Sequence, residues 1–196
     1  MNVDNIKILY VEDDKAIVEF IKVVFKKLKI SNVSYAFNGE EGFKEYKKNQ
    51  YDLVITDMHM PIMDGFRLIE NIRQLNPKQV FMMITATESK EDLIYAIRLR
   101  INYFIDKPIN PKKFKTILFE CIDFLNQKKE LLLSNTLLSQ YKEAIDHSTL
   151  LSKADKQGRI TYVNKQFCKI SQYKKEELIG QPHSILRNIN MPSSVF

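Results

Sequence analysis

Three carboxylates in this chain stand at the ends of two apolar runs. Asp57 follows Tyr51-Asp52-Leu53-Val54-Ile55-Thr56, while Glu12 and Asp13 follow Ile6-Lys7-Ile8-Leu9-Tyr10-Val11. Each run has the β-branched, near-continuous hydrophobic texture of a buried strand, and the Pro61 and Asp64-Gly65 turn signals come soon after Asp57. Open α/β sheets carry their ligand crevices at the carboxyl ends of such strands. A carboxylate there can attack phosphorus to give an acyl phosphate. Bringing a phosphoryl group up to clustered acids requires a divalent cation, and Mg²⁺ characteristically takes one or two carboxylates together with phosphate and water oxygens. Asp57 is therefore the candidate nucleophile, with Asp13 and Asp57 as candidate ligands. Thr85 closes a fourth apolar run and Lys107 follows a fifth, which supplies a hydroxyl and a cation for the equatorial phosphoryl oxygens.

The elements that must position these groups are legible in the periodicity. Strands are expected near 6–11, 32–37, 52–57, 79–84 and 102–105, alternating with helices near 15–28, 39–48, 64–74 and 89–99 and one from 110. That alternation implies a parallel sheet covered on both faces. The first, third and fourth strands are nearly all apolar and belong in its middle. The fifth helix has no stop signal, since Pro111 is tolerated in a first turn and no Gly or Pro follows until Gly158. Ile117, Phe124, Leu131, Leu138 and Ile145 recur at heptad spacing, with Cys121, Lys128, Asn135 and Lys142 as the companion positions. Two readings stand: a coiled-coil-like connector in which Asn135 sets a parallel dimer, and an amphipathic helix packed on its own domain. After residue 147 the texture changes to a hairpin around Gly158, then short helices near 165–170 and 174–179.

Composition bounds the function classes. The 196 residues suffice for one ordinary domain and part of a second. No apolar stretch approaches the ~20 residues of a membrane span, and the N-terminus lacks the pattern of a secretory leader, so a cytoplasmic protein is expected. Cys121 and Cys168 are read as two buried thiols rather than a disulfide framework. The net charge of +6 is spread over amphipathic segments such as Lys22, Lys26, Lys27 and Lys29, which indicates solvated helix faces and no direct contact with nucleic acid.

Taken together, Ile8-Leu9-Tyr10-Val11-Glu12-Asp13-Asp14, Asp57-Met58-His59-Met60-Pro61-Ile62-Met63-Asp64-Gly65, Ile84-Thr85-Ala86 and Asp106-Lys107-Pro108-Ile109 resemble the receiver domain of two-component response regulators. The resemblance covers residues 5–125. It implies a flavodoxin-like doubly wound α/β fold whose five-stranded parallel sheet runs in the order 2-1-3-4-5. It also implies Asp57 as phosphoacceptor, Asp13 as direct Mg²⁺ ligand, Glu12 as an outer-shell acid, and the His59 carbonyl as a further ligand. Asp14 aligns beyond the acidic pair. Thr85 and Lys107 would bind the phosphoryl oxygens, Phe104 occupies the position of a switch aromatic beside Tyr103, and the Lys107–Pro108 bond would be cis.

Residues 144–196 resemble the opening half of a PAS sensory domain, through Ala144-Ile145-Asp146-His147-Ser148, Asp155, Gly158, Ile160-Thr161-Tyr162-Val163-Asn164, Phe167-Cys168 and Ser171–Gly180. The end of this segment, from Gln181-Pro182-His183 to Arg187 and Met191-Pro192, is closest to an aerotaxis-type branch in which some members bind FAD. Asn188-Ile189-Asn190 stands here in place of that branch's His-Pro-Asp. Cys168 is read as packing, since the light-sensing Asn-Cys-Arg motif is absent. A PAS fold takes about 100 residues, so the sequence reads as the front of a longer protein, or as a partial α+β domain completed by dimerisation or strand exchange.

The expected organisation is a receiver at 1–125, a helical connector at 126–146 and a partial PAS region at 147–196. The expected function is phosphorelay signalling, with phosphoryl groups drawn from a sensor histidine kinase or a small phosphodonor. The only catalysis expected within the chain is its own phosphorylation and dephosphorylation. Two alternatives belong to other classes: the regulatory front of a hybrid histidine kinase or a diguanylate cyclase, and a phosphate-independent interaction module.

Overall fold

The computed structural model describes residue 3, residues 5–86 and residues 89–186. The chain divides into two compact units, Met1–Lys129 and Glu130–Phe196.

In the first unit β1 (Ile8–Val11), β2 (Val33–Ala36), β3 (Leu53–Asp57), β4 (Val80–Thr85) and β5 (Tyr103–Asp106) alternate with α1 (Lys15–Lys27), α2 (Gly39–Lys48), α3 (Gly65–Leu75), α4 (Lys90–Arg98) and α5 (Pro111–Ser148). The strands form one parallel sheet in the order β2-β1-β3-β4-β5, the flavodoxin-like order that the receiver resemblance implied. β1, β3 and β4 lie inside it and are almost completely buried. Alternate residues feed two cores. Ile8, Tyr10 and Ile55 pack with Phe25 of α1 and Phe114 and Leu118 of α5, whereas Leu9, Val11 and Val54 pack with Leu68 and Ile72 of α3. This is the pleat's two-residue period at work.

Short polar residues fix where the helices begin. Asp14 caps α1 by accepting from the Ala16 amide at 2.7 Å, Asn38 caps α2 from Glu41 at 2.9 Å, and Asp64 caps α3 from Arg67 at 2.8 Å. Asp14, adjoining the acidic pair in sequence, is thus committed to a helix terminus.

At the opposite edge of the sheet, half-buried Arg73 gathers the carbonyls of Pro77, Gln79, Leu99 and Arg100 at 2.7–3.2 Å, its guanidinium 4.8 Å from the centre of the Phe81 ring. Truncation would strand several carbonyls at once. Arg73→Ala is expected to cost about 3 kcal/mol, measured as a lower midpoint in urea unfolding.

Buried α5 residues end at Leu125: Phe114, Leu118, Cys121, Ile122 and Leu125 face the core. Beyond it Leu131, Leu132, Leu133 and Leu138 are about 60% exposed, and Leu137, Tyr141 and Ile145 are exposed as well. Of the heptad positions, Ile117 is half-buried, and Phe124, Leu131, Leu138 and Ile145 face solvent.

In the second unit β6 (Ser152–Ala154) and β7 (Ile160–Val163) pair antiparallel, followed by α6 (Lys165–Ser171), α7 (Lys175–Leu178) and a 3-10 turn at His183–Leu186. Gly158 takes φ 76° in the hairpin turn, the left-handed conformation glycine adopts without penalty. Asn164 is the organiser here. Its buried side chain donates to the Ile145 and Thr149 carbonyls and accepts from the Leu151 and Phe167 amides, tying the end of α5 to the hairpin and capping α6. The apolar cluster is small: Ile160, Val163 and Leu178, with Phe167, Cys168, Ile185 and Leu186 against it. Arg187, Asn188-Ile189-Asn190 and Met191-Pro192, on which the flavin expectation turned, lie outside the described residues.

The two cysteines differ, contrary to the expectation of two buried thiols. Cys121 is buried, and its burial pushes the thiol up to about 12. Cys168 is only half-buried, because the small second cluster cannot enclose it. A thiol reagent near neutral pH is therefore expected to label Cys168 first and Cys121 only on unfolding, as read by peptide mass mapping. Among the described residues no helix is long and apolar enough to cross a membrane.

Candidate functional site

Strand register brings the chemistry together. Val11 pairs with Thr56, Asp57 with Ile84 and Thr85 with Asp106, so residues that end four different strands reach one edge of the sheet. The Glu12 amide extends the ladder to the Ala36 carbonyl at 3.1 Å, and the Lys107 amide bonds the Thr85 carbonyl at 2.8 Å.

Asp57 is 6% exposed and Glu12 is fully buried. The two oxygens of Asp57 are held separately. Oδ1 accepts from the Met58 amide at 2.8 Å and Oδ2 from Lys107 Nζ, also at 2.8 Å. The same ammonium donates to Glu12 Oε1 at 3.1 Å. Glu12 Oε2 is buried and accepts no hydrogen bond, although it lies 3.1 Å from the ammonium. One cation between two buried carboxylates leaves net negative charge, to which exposed Asp13 adds. Burial, followed by the charge of Asp57, pushes the Glu12 carboxyl up to about 7 against the pull of Lys107. Burial works against the charge on Lys107, yet its bonds and attraction to Asp57 and Glu12 outweigh that and hold it above the usual lysine range.

These residues fit a magnesium ion. One carboxylate oxygen from each of Glu12, Asp13 and Asp57 lies within 4.8 Å of the others. Octahedral Mg²⁺ spaces its ligands about 3–4.2 Å apart, at bond lengths near 2.1 Å, and retains several waters. The observed spread suits two direct carboxylates and one acting through water. The unbonded Oε2 of Glu12 and the excess of acid both point the same way. His59 lies exposed on the loop two residues after Asp57.

The loop geometry depends on a residue whose role sequence reading took only as a turn signal. The Gly65 amide donates to the Met58 carbonyl at 2.9 Å, and a Cβ at Gly65 would lie 2.1 Å from the Asp57 carbonyl oxygen. Met58 was likewise missed, though its amide orients Asp57 and its Sδ accepts from Thr85 Oγ1 at 3.5 Å. Neither contact leaves a local sequence signal.

Thr85 and Phe104 are brought together as well. Met83 pairs with Phe104, and Thr85 lies two residues beyond Met83 on the same face. Both line a cavity of about 100 Å³ with Met58, Phe66, Met83 and Ala96. Tyr103 packs into the other core, with Phe114 and Leu118, so the two adjacent aromatics are separated by the pleat. The Lys107–Pro108 bond is cis, as the resemblance implied.

Comparison with known proteins gives a response regulator receiver domain over residues 8–119 and a PAS fold over residues 148–195. The transcriptional regulatory protein YvrH of Bacillus subtilis is 31% identical over 138 residues, 70% of this chain and 58% of its own length, so the chain spans little more than half of that relative. Chemotaxis protein CheY-3 of Vibrio cholerae is 34% identical over 114 residues, 57% of this chain and 87% of CheY-3. Among solved structures, the CheY-type chain from the CheX-CheY-BeF3-Mg²⁺ complex of Borrelia burgdorferi aligns with TM-score 0.57 and 24% identity over 61% of this chain and 90% of its own, a likeness of fold.

Proposed function

This chain belongs to the response regulator receiver domain family, which works in two-component phosphorelay signalling, and from that premise we propose that Asp57 is its Mg²⁺-dependent phosphoacceptor. The observation that carries this reading is the convergence of Asp57 and Glu12 on Lys107, at 2.8 and 3.1 Å from its ammonium, from three separate strand ends. Asp13 and Asp57 would hold the ion directly with the His59 carbonyl, and Glu12 would act through water. When bound, the ion offsets carboxylate charge and polarises the phosphoryl oxygens. The Borrelia relative is a complex with magnesium and a beryllofluoride, which supports the same ligand chemistry here.

The chain's own groups do the rest. An oxygen of Asp57 attacks phosphorus as the bond from phosphorus to the donor's leaving atom breaks, the imidazole nitrogen of a phosphohistidine or the carboxylate oxygen of an acyl phosphate, and the leaving group departs with that electron pair. The donor is a phosphohistidine of a sensor kinase or a small acyl phosphate. Lys107, already 2.8 Å from Asp57, transfers its contact to the developing phosphoryl charge as a point cation. Thr85 exchanges its sulfur contact for a phosphoryl oxygen, and Phe104 turns into the adjoining cavity, altering the surface of α4 and β5. Treating the protein with Mg²⁺ and acetyl phosphate is expected to add one phosphoryl group at Asp57. A chain that gains none, or gains it equally with EDTA present, overturns the proposal.

The connector is proposed to form a homodimer. A helix whose leucines at 131, 132, 133 and 138 face water lacks the packing from which most helical stability derives, and heptad spacing suits a second copy in parallel. Leu131→Glu with Leu138→Glu is expected to give monomers in sedimentation where the parent gives dimers. The cytoplasm, where such phosphodonors and reduced cysteines occur, is the proposed location.

A further inference from the structure

Among the described residues, two side-chain polar atoms are buried without a hydrogen bond: the Tyr10 hydroxyl and Glu12 Oε2. Both residues are fully buried. Tyr10 lies in β1 and Glu12 extends the same ladder one residue past it, so the two side chains, two positions apart, leave the strand on one face. The Tyr10 ring is held edge-on by Phe25 and Tyr35, with centroids 6.2 and 6.1 Å away, and a phenylalanine would make the same contacts. The hydroxyl is what packing leaves unexplained. A phenol is a proton donor at neutral pH, and this one leaves the strand on the face that carries Glu12. A buried donor and a buried acceptor on the same face are complementary, and interiors routinely satisfy such pairs through one ordered water.

We infer that Tyr10 is a positioning residue of the acidic site: its hydroxyl donates through one buried water to Glu12 Oε2 and holds that carboxylate in place between Lys107 and the ion. The inference rests on the magnesium reading for its second half. Hydrogen-bond partners of this kind set the orientation of metal-binding groups, and losing one commonly weakens metal affinity by about 10-fold or more.

The test is calorimetric titration of Mg²⁺ into the full chain, without phosphodonor, for the parent, Tyr10→Phe, Glu12→Met and the double variant. Tyr10→Phe is expected to raise the Mg²⁺ Kd about 10-fold in the parent and to have no further effect once Glu12 is replaced. An unchanged Kd, or equal weakening in both backgrounds, overturns the inference. Thermal melting in EDTA supplies a readout independent of metal. A bridging hydroxyl makes Tyr10→Phe neutral or destabilising, whereas a stray one makes it stabilising and sinks the idea. If the parent takes up no Mg²⁺, the metal reading fails, and the melting comparison still decides whether Tyr10 and Glu12 are joined.

Discussion

Asp57→Asn is expected to abolish phosphoryl uptake, with a loss on the order of 10⁴-fold or more in the rate at that position. The amide keeps the shape of the carboxylate, so the Met58 contact at Oδ1 has a counterpart in the variant. It lacks the negative charge and the lone-pair basicity that make the oxygen a nucleophile. The fold should persist, because the substitution removes charge from a site where two buried carboxylates share one ammonium. Its effect on the neighbour has a definite sign: burial remains the leading influence raising the Glu12 carboxyl, but the second, the charge of Asp57, is gone, so that carboxyl falls toward its ordinary range. Mass spectrometry after exposure to acetyl phosphate and Mg²⁺ measures the loss. Label at the same residue and rate as in the parent would remove Asp57 from the chemistry.

Gly65→Ala should have the largest effect of any single methyl group added near the site. A Cβ there would fall 2.1 Å from the Asp57 carbonyl oxygen, well inside contact distance, and the obstacle is backbone rather than a side chain that can rotate away. Either the start of α3 or the end of β3 must move. The hydrogen bond that the Gly65 amide donates to the Met58 carbonyl is strained in both cases. A destabilisation of about 3 kcal/mol is expected in chemical unfolding. Displacing Asp57 relative to Lys107 by even about 1 Å should also slow phosphorylation about 100-fold. Stability and rate both near the parent's values would show that the loop has slack which this packing denies.

Several features were legible from residue types alone because they depend on local pattern. The alternation of apolar runs with helix-period segments fixed five strands and their crossovers, and parallel strands joined by right-handed crossovers admit few orders. Asp57, Glu12, Thr85 and Lys107 sit at strand ends in the sequence, and parallel register carries strand ends to a common edge.

Other features belong to the tertiary structure, since they join atoms far apart in the chain. The division of Asp57's two oxygens between the Met58 amide and Lys107, fifty positions away, is not written in either segment. The clearance that requires glycine at 65, and the separation of Tyr103 from Phe104 onto opposite faces, follow from packing and pleat. So does the difference between Cys121 and Cys168, which depends on how much core each unit can build around a thiol. Sequence determined which groups arrive at the edge, because strand and helix periods are properties of neighbouring residues. Distance, burial and hydrogen-bond partner were decided only on folding, because each depends on what the rest of the chain places opposite.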